Sequence, residues 1–386
     1  MDGSSLNDRG LALWKLGDAA GALDAFERLV ARDPRSPEAH YNLGCVQLEL
    51  GTFAAADQSA QQALILRPTF SEALLLRAAA VAATGAIEAG AQLLQQPGQS
   101  GVSADRLLQQ PDQPSTPAAQ RYMSLALRLL NSRLFDPARR CLEAVLREDS
   151  TEVMAHHLLS ALSGDNPDHP VAGYVRQLFD ASAATFDREL VSKLGYEIPR
   201  EMVEAIETVA GAGLPRGGWD VLDLGCGTGL VGEHIAPHSR RLVGIDLAPK
   251  MIERARARNI YTDLICADLL EALTEEDARR ARYDVMTAAD VFIYVGKLDM
   301  VIPAIRRVLR PGGLFAFSAE GVEFVSGRER EDYCLGVMGR YAHGADYLRR
   351  LSALYGFSVE LWRQSRIRFE HRRPVAGWLT VWRAIE

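Results

Sequence analysis

The sequence has few cysteines and no excess of basic residues, which argues against zinc-binding, disulfide-rich and nucleic-acid-binding proteins. Five cysteines are spread over 386 residues, with no C-x-x-C pair and no spacing typical of zinc ligands. We therefore expect reduced thiols and no bound metal. Basic residues are not in excess, since 43 Lys and Arg face 50 Asp and Glu for a net charge of -7. A protein that binds by neutralising phosphates needs the opposite balance, so we expect no nucleic-acid partner.

Long apolar runs are absent as well. The most apolar stretch, from Ala73 to Ile87, is interrupted by Arg77 and is too short to cross a bilayer. The first residues carry acids where a signal peptide needs a basic region followed by an apolar run. We therefore expect no export signal and no membrane partner, and predict a cytoplasmic protein. The length and the ordinary globular composition favour two or three domains.

The first ninety residues repeat with a period of 34. The positions that recur are small residues and turn-formers: Gly10 and Gly44, Gly17 and Gly51, Ala22 and Ala56, Pro34 and Pro68. The pattern resembles tetratricopeptide repeats, in which small residues let two helices approach closely and glycine occupies the turn between them. A third copy begins in register at Gly85 and fades, and a degenerate copy follows. We predict a helical repeat domain over residues 1–164, with an irregular Gln- and Pro-rich segment at 89–120.

Beyond the polar segment DNPDHP at 165–170, apolar strands alternate with helical segments. The strands read VLDLG, LVGIDL, LICADL, YDVMTAADV and LFAFSAE. This alternation predicts a parallel, doubly wound Rossmann-like sheet. The last two strands predict an antiparallel hairpin at the sheet edge. The predicted fold class is therefore α + α/β, with the second domain at 165–386 and a helical lead-in or lid at 165–215.

The segment VLDLGCGTG, residues 221–229, carries the chemistry. It reads as a strand that runs into a glycine-rich turn and opens a helix, a pattern that binds ribose or phosphate groups. A dinucleotide fingerprint starting at Gly225 would need glycine at position 230, where Leu230 stands. Asp223 would also repel a pyrophosphate at this turn, so a cationic ligand fits better.

Two further acids follow successive strands. Asp246 lies 21 residues beyond Gly225, the place for a carboxylate that binds ribose hydroxyls. Asp268 ends the third strand and is placed to accept a hydrogen bond from an adenine amino group. A ligand with an adenosine half and a cationic amino-acid half satisfies all three acids, and S-adenosylmethionine is such a ligand. The alternative is that Asp223 is a helix-start acid and that Asp246 and Asp268 are strand-end caps.

From about Tyr174 to the end, the sequence resembles class I S-adenosylmethionine-dependent methyltransferases. GIDLAPKM, CADL and LRPGGLFAFS match later motifs of that family, and with the repeats the chain resembles bacterial members that carry tetratricopeptide repeats. The resemblance implies S-adenosylmethionine as cofactor and S-adenosylhomocysteine as product. It also implies contacts to the methionine half from Asp223, Gly225, Cys226 and Gly227, to the ribose from Asp246, and to the adenine from Leu247, Met251, Asp268 and Leu269.

The acceptor side is less marked. Phe179 and Tyr196, in the aromatic segment before the first strand, are expected to cover the cofactor, unless they only pack on the sheet. Asp290 and Tyr294 follow the fourth strand, and Asp290 is the candidate for orienting or deprotonating the nucleophile, unless it caps the next helix. His343 is a further candidate base, against the reading of a surface or helix-start residue.

Three functions compete. The first is methyl transfer to an oxygen or nitrogen of a small molecule, with the repeats used for a homodimer or for docking a protein partner. The second is a protein methyltransferase that recruits its substrate through the repeats. The third is a non-enzymatic repeat scaffold, which the intact glycine motif and Asp246 disfavour. The segment ADVFIY after the fourth strand lacks the D/N-P-P-Y pattern of enzymes that methylate amides. This counts against amide, glutamine or adenine groups as the methyl acceptor.

Overall fold

The computed structural model describes residues 3–95, 116–183, 186–187, 196–211, 218–325, 327–328, 331–370 and 373–385. The chain divides into two compact units between Leu162 and Ser163, two residues before the predicted boundary. The Gln- and Pro-rich segment lies largely outside the described residues, between the helices that end at Leu93 and begin at Pro117.

The first unit is helical. Its described helices are α1 Gly3–Lys15, α2 Ala19–Arg32, α3 Pro37–Glu49, α4 Phe53–Leu66, α5 Ser71–Ala83, α6 Ile87–Leu93, α7 Pro117–Asn131, α8 Phe135–Glu148 and α9 Val153–Ser163. Successive helices pair across short turns, as the 34-residue period predicts. The third copy therefore does form a helix pair, although its sequence pattern fades.

The repeat positions are explained by their geometry. Gly17, Gly51 and Gly85 end the first helix of each pair with φ of +81°, +75° and +106°, which side chains disfavour. A Cβ on Gly10 would lie 2.7 Å from the ring of Phe26, so glycine is needed for the helices to meet. Arg133 takes the same left-handed turn between α7 and α8, with φ of +58°. The degenerate copy thus keeps the turn without its glycine.

The second unit is built on a seven-stranded sheet in the order β3-β2-β1-β4-β5-β9-β8. The strands are β1 Trp219–Leu224, β2 Ser239–Asp246, β3 Asp263–Cys266, β4 Tyr283–Ala288, β5 Leu309–Glu320, β8 Phe357–Glu370 and β9 Arg373–Ala384. The first five pair in parallel, while β9 pairs antiparallel with β5 and β8 forms the edge. The predicted doubly wound sheet and its edge hairpin are confirmed.

Helices cover both faces of this sheet. They are α10 Tyr174–Ser182, α11 Ile198–Ala210, α12 Leu230–Ile235, α13 Pro249–Ala257, α14 Leu269–Ala278, α15 Val301–Val308 and α16 Ala345–Leu354. Neighbouring residues of β1 point to opposite sides: Val221 packs with α11 and α12, and Leu222 packs with α14 to α16. A separate two-stranded sheet joins β6 Tyr333–Leu335 and β7 Tyr341–His343. Among the described residues, no helix is long and apolar enough to span a membrane.

Candidate active site

A cavity of about 530 Å³ opens at the carboxyl ends of β1, β2 and β4, beneath α10. The strand order reverses between β1 and β4, which is where open parallel sheets bind their ligands. Its volume falls within the range of about 300–1,000 Å³ typical of small-molecule sites. Most of the predicted site residues lie on its wall: Phe179, Tyr196, Gly225, Cys226, Gly227, Asp246, Leu247, Asp268, Leu269, Asp290 and Tyr294.

The glycine turn forms one wall of the cavity. Gly225 and Gly227 have φ of +58° and +54°, and a Cβ on Gly225 would lie 2.6 Å from a methyl of Val291. Between them, the Cys226 N–H donates to the Ile245 carbonyl over 2.8 Å. Burial raises the pKa of the Cys226 thiol well above its usual value, so it is a neutral turn residue. The two glycines therefore place bare backbone on the cavity wall, and a side chain at Gly225 would collide with Val291.

Asp246 is held by backbone on the cavity wall. Its carboxylate accepts hydrogen bonds from the N–H groups of Gly227 and Ala248, both over 2.8 Å. Burial raises its pKa, and these two hydrogen bonds oppose the rise. A carboxylate offers about four lone-pair sites, so acceptor capacity is left for two hydroxyl groups. The side chain is thus fixed in place and still able to bind a ribose.

Asp268 caps a helix and also lies on the cavity wall. Its carboxylate accepts from the N–H groups of Leu270 and Glu271 and caps α14. It also lies on the cavity wall beside Leu269, and Leu247 lies on the wall after β2. The cap reading and the ligand-facing position are therefore compatible.

Two predicted contacts need correction. Asp223 is 1% exposed, does not line the cavity, and accepts hydrogen bonds from the hydroxyls of Tyr261 and Thr287, both over 2.7 Å. Burial raises its pKa to about 6. Met251 is fully buried and packs with Ala248. Both residues therefore pack behind the residues of the cavity wall. The prediction that they contact a ligand directly was wrong.

Asp290 lies at the end of β4 in a left-handed conformation, with φ of +55°. Its carboxylate accepts from the Ser318 hydroxyl over 3.0 Å and pairs with the Arg368 guanidinium over 3.1 Å. Its own N–H donates to the same serine. Burial raises the pKa of Asp290, and the Arg368 charge opposes the rise. The side chain is thus fixed in the cavity by residues of two other strands.

Arg368 on β8 was not among the residues that the sequence predicted for the site. Arg366, two residues earlier on the same strand, is exposed. The Arg368 side chain is only 4% exposed, lines the cavity, and binds both Asp290 and Glu320. Residues two apart in a strand lie on the same face, so the sequence pattern predicts the same environment for Arg366 and Arg368. The pattern does not show that acids at the ends of β4 and β5 pair with Arg368 alone. Glu320 is therefore a second carboxylate beside Asp290 at this end of the cavity.

Aromatic side chains roof the cavity. Phe179 on α10 packs edge-on against Tyr294, with ring centroids 5.0 Å apart, and against Phe186 at 5.8 Å. Asp180, the next residue of α10, accepts from the Lys250 N–H at the start of α13. Phe179 and Phe186 therefore lie together on the cavity wall, and α10 is joined by this hydrogen bond to the helix that follows β2.

His343 is not a base on this cavity. It is fully buried on β7, and its Nε2 lies 2.8 Å from the Gly296 carbonyl oxygen and 3.0 Å from that of Val295. Nε2 therefore donates, and Nδ1 is buried without a partner in the described part of the chain. Burial lowers its pKa to about 4, so the ring is neutral at physiological pH. His343 fixes the loop after Tyr294, and its prediction as a general base was wrong.

Comparisons with known proteins identify one family in each unit. Residues 221–313 match the family model of the methyltransferase domain, and residues 7–69 match that of the tetratricopeptide repeat. A ubiquinone biosynthesis O-methyltransferase of Shewanella halifaxensis is 31% identical over 102 residues, which cover 26% of this chain and 43% of that protein. Its counterpart from Bordetella avium is 28% identical over 204 residues, covering 51% and 83%.

The chain spans about half the length of most curated relatives it matches. Among solved structures, the N-methyltransferase NodS of Bradyrhizobium japonicum, crystallised with S-adenosylhomocysteine, is 19% identical, with a TM-score of 0.38 over 53% of this chain and 99% of that chain. The two family-model matches show a methyltransferase domain at residues 221–313 and tetratricopeptide repeats at residues 7–69. Both resemblances predicted from the sequence are confirmed.

Proposed function

We propose that the protein is an S-adenosylmethionine-dependent methyltransferase that transfers a methyl group in line to an oxygen or nitrogen of a small molecule. The observation that carries the proposal is Asp246, a carboxylate fixed by two backbone N–H groups on a cavity wall beside a glycine turn. The name of the matched family model and those of the O-methyltransferase relatives support the reaction class.

The residues on the cavity wall fit this cofactor. Gly225 and Gly227 place backbone without a side chain on the cavity wall, where the methionine half would lie. Asp246 has acceptor capacity for the two ribose hydroxyls, and Leu247, Asp268 and Leu269 bound the space beyond it. S-adenosylmethionine, when bound, supplies a methyl group on an activated sulfonium sulfur.

The chain itself has three tasks in this chemistry. It orients the acceptor, excludes water and, for a protonated nucleophile, takes up a proton. The roof of Phe179 and Tyr294 excludes water. Asp290 holds a carboxylate in the cavity whose pKa is raised by burial, which makes it a better base than an exposed aspartate. Tyr196 and Tyr294 add phenolic side chains at the same end.

Calorimetry with the full chain and S-adenosylhomocysteine tests the proposal most directly. We expect saturable binding, and we expect Asp246→Ala to weaken it while Asp263→Ala, an exposed acid at the start of β3, does not. Incubating the protein with labelled cofactor and a small-molecule extract, followed by mass spectrometry, should then identify a methylated product. Absence of binding by the unaltered chain would contradict the proposed function.

We further propose that the repeats contact another chain, either a second copy or a docked protein. Leu16 and Leu50 occupy equivalent positions 34 residues apart at the turns of two helix pairs, and they are 83% and 43% exposed. Exposed leucines that recur at one repeat position form an apolar edge, which favours an interface. Light scattering of a Leu16→Ser, Leu50→Ser variant should show a lower mass for a homodimer and no change for a docking surface.

A further inference from the structure

The arginine that follows α13 joins three parts of the second unit. The Arg258 side chain is 18% exposed, and its guanidinium donates hydrogen bonds in three directions. Nε donates to the Thr228 carbonyl of the glycine turn, Nη1 to the Glu233 carboxylate on α12, and Nη2 to the Asp187 carboxylate over 2.6 Å. Arginine suits this position because its planar group holds several donors in a fixed fork. One side chain therefore connects the glycine turn to the segment that precedes β1.

The last glycine of VLDLGCGTG makes room for this arginine. Gly229 has φ of +95°, and a Cβ built on it would lie 3.0 Å from Cδ of Arg258. That distance is too short for an ordinary contact, so a side chain at position 229 would displace the arginine from the Thr228 carbonyl. Gly225 and Gly227 line the cavity, whereas Gly229 accommodates Arg258.

Asp187 uses both of its carboxylate oxygens in this network. One oxygen accepts from the Arg258 guanidinium, and the other accepts from the hydroxyl of Thr228, which is 1% exposed. The two donors come from different parts of the domain, the end of α13 and the glycine turn. Two charge-assisted hydrogen bonds from separate elements fix the position of the carboxylate. The backbone that carries Asp187 is therefore held beside the glycine turn.

The residue before Asp187 is part of the cavity wall. Phe186 lines the cavity, and a Cβ built on Gly227 would lie 3.9 Å from its ring, which is an ordinary contact distance. The ring also packs edge-on against Phe179, with centroids 5.8 Å apart. A molecule bound against the glycine turn would therefore border the Phe186 ring.

We infer that Arg258 and Thr228 are positioning residues for the cofactor, because they fix Asp187 and thereby hold the Phe186 ring on the cavity wall. The inference rests on the proposed function and adds to it a network that controls cofactor binding. Arg258 and Asp187 are not among the described residues that line the cavity. Their effect on a ligand therefore passes through their neighbours. A wall that is ordered before the ligand arrives lowers the entropy cost of binding and slows dissociation.

Two alanine variants of the full chain form a matched test. Asp187 and Glu233 both pair with Arg258, and their side chains are 45% and 48% exposed. Ion pairs of such exposed acids contribute little stability, so both variants should unfold in urea almost as the unaltered protein does. Asp187→Ala should weaken S-adenosylhomocysteine binding at least about fivefold, whereas Glu233→Ala should change it by less than about twofold. Calorimetry measures the affinity, and a chase of labelled S-adenosylhomocysteine with excess unlabelled ligand should show that faster dissociation accounts for most of the loss.

Further variants show whether the effect passes through the ring. Asp187→Asn keeps an acceptor for the Thr228 hydroxyl and should retain part of the affinity. Phe186→Ala should weaken binding as Asp187→Ala does, and the double variant should add little, because both changes act on one ring. Unchanged binding in Asp187→Ala, equal losses in Asp187→Ala and Glu233→Ala, or full additivity with Phe186→Ala would each overturn the inference. Absence of binding by the unaltered chain would instead overturn the proposed function, and the inference with it.

Discussion

The cofactor end and the acceptor end of the cavity are assembled in different ways. At the cofactor end, the glycine turn, Asp246 and Asp268 follow three successive strands within fewer than fifty residues, and local backbone hydrogen bonds hold them. At the acceptor end, Tyr196, Asp290, Arg340 and Arg368 come from four distant parts of the chain. Under the proposed function, the glycine turn and the two acids that follow it bind the cofactor that the whole family shares, while the scattered residues select the methyl acceptor.

Asp290→Asn provides the strongest test of this division. If Asp290 takes a proton from the acceptor, turnover should fall by about 10²–10⁴-fold, while the affinity for S-adenosylhomocysteine stays nearly unchanged. Rates are measured with the product identified by mass spectrometry, and affinity by calorimetry. Asp346→Asn, an exposed acid on α16, is the control. A parallel loss of affinity would place Asp290 at the cofactor end, and full activity would leave it a structural residue.

Asp246→Ala should have the converse effect. The variant loses two charge-assisted hydrogen bonds to ribose of about 1.5–3 kcal/mol each, so S-adenosylhomocysteine should bind at least about 100-fold more weakly. The Gly227 N–H also loses its acceptor, so circular dichroism should accompany the calorimetry to show that the fold is retained. Unchanged affinity in a folded variant would remove Asp246 from the ribose role.

Two aspartates near opposite ends of β1, Asp223 and Asp220, should change the free energy of unfolding with pH in opposite directions. Burial raises the folded-state pKa of Asp223 to about 6, so its ionisation destabilises the fold as pH rises from about 4 to about 6. The cost reaches about 3 kcal/mol above that range. Asp246 and Asp290 have pKa values raised by burial and act in the same direction. Between about pH 4 and 6, the free energy of unfolding should fall less in Asp223→Asn than in the unaltered protein, as measured by urea unfolding at several pH values.

Asp220 at the start of β1 is the matched comparison. Burial acts to raise its pKa, but hydrogen bonds from Arg240 and Arg310 outweigh burial and lower it. The stabilisation that ionised Asp220 gives the fold is present above the pKa that this residue has in the unfolded chain, and it is lost as the pH falls through the lower pKa of the folded state. In Asp220→Asn, the free energy of unfolding should therefore fall less at acid pH than it does in the unaltered protein. Identical profiles for the two variants would show that burial of Asp223 does not govern its protonation.

The difference between the two ends also explains what the sequence could predict. The parallel doubly wound sheet, the edge hairpin and the repeat turns follow from periodicity and from glycines that need positive φ, such as Gly17 and Gly51. Asp246 and the glycine turn follow from a motif whose spacing reflects one local structure. Arg368 and Arg340 carry no local signal, because their position depends on strands brought together only by the folded sheet. His343 was misjudged for the same reason, since the carbonyls that bind it lie 47 residues or more away in sequence.

Gly225→Ala tests how far the two ends are independent. The substitution forces a left-handed conformation on alanine and brings its Cβ to 2.6 Å from Val291, the residue after Asp290. Left-handed strain and overpacking each cost about 1–3 kcal/mol, so urea unfolding should show a clear loss of stability. Gly312→Ala carries similar strain at φ of +74° with nothing within 4 Å, and should cost only about 1 kcal/mol. Adding Val291→Ala to Gly225→Ala should recover part of the loss, because the collision between the two ends is then removed. Equal losses in the two glycine variants would mean that the cofactor turn is shaped by its own backbone alone, and that its contact with the acceptor end is incidental.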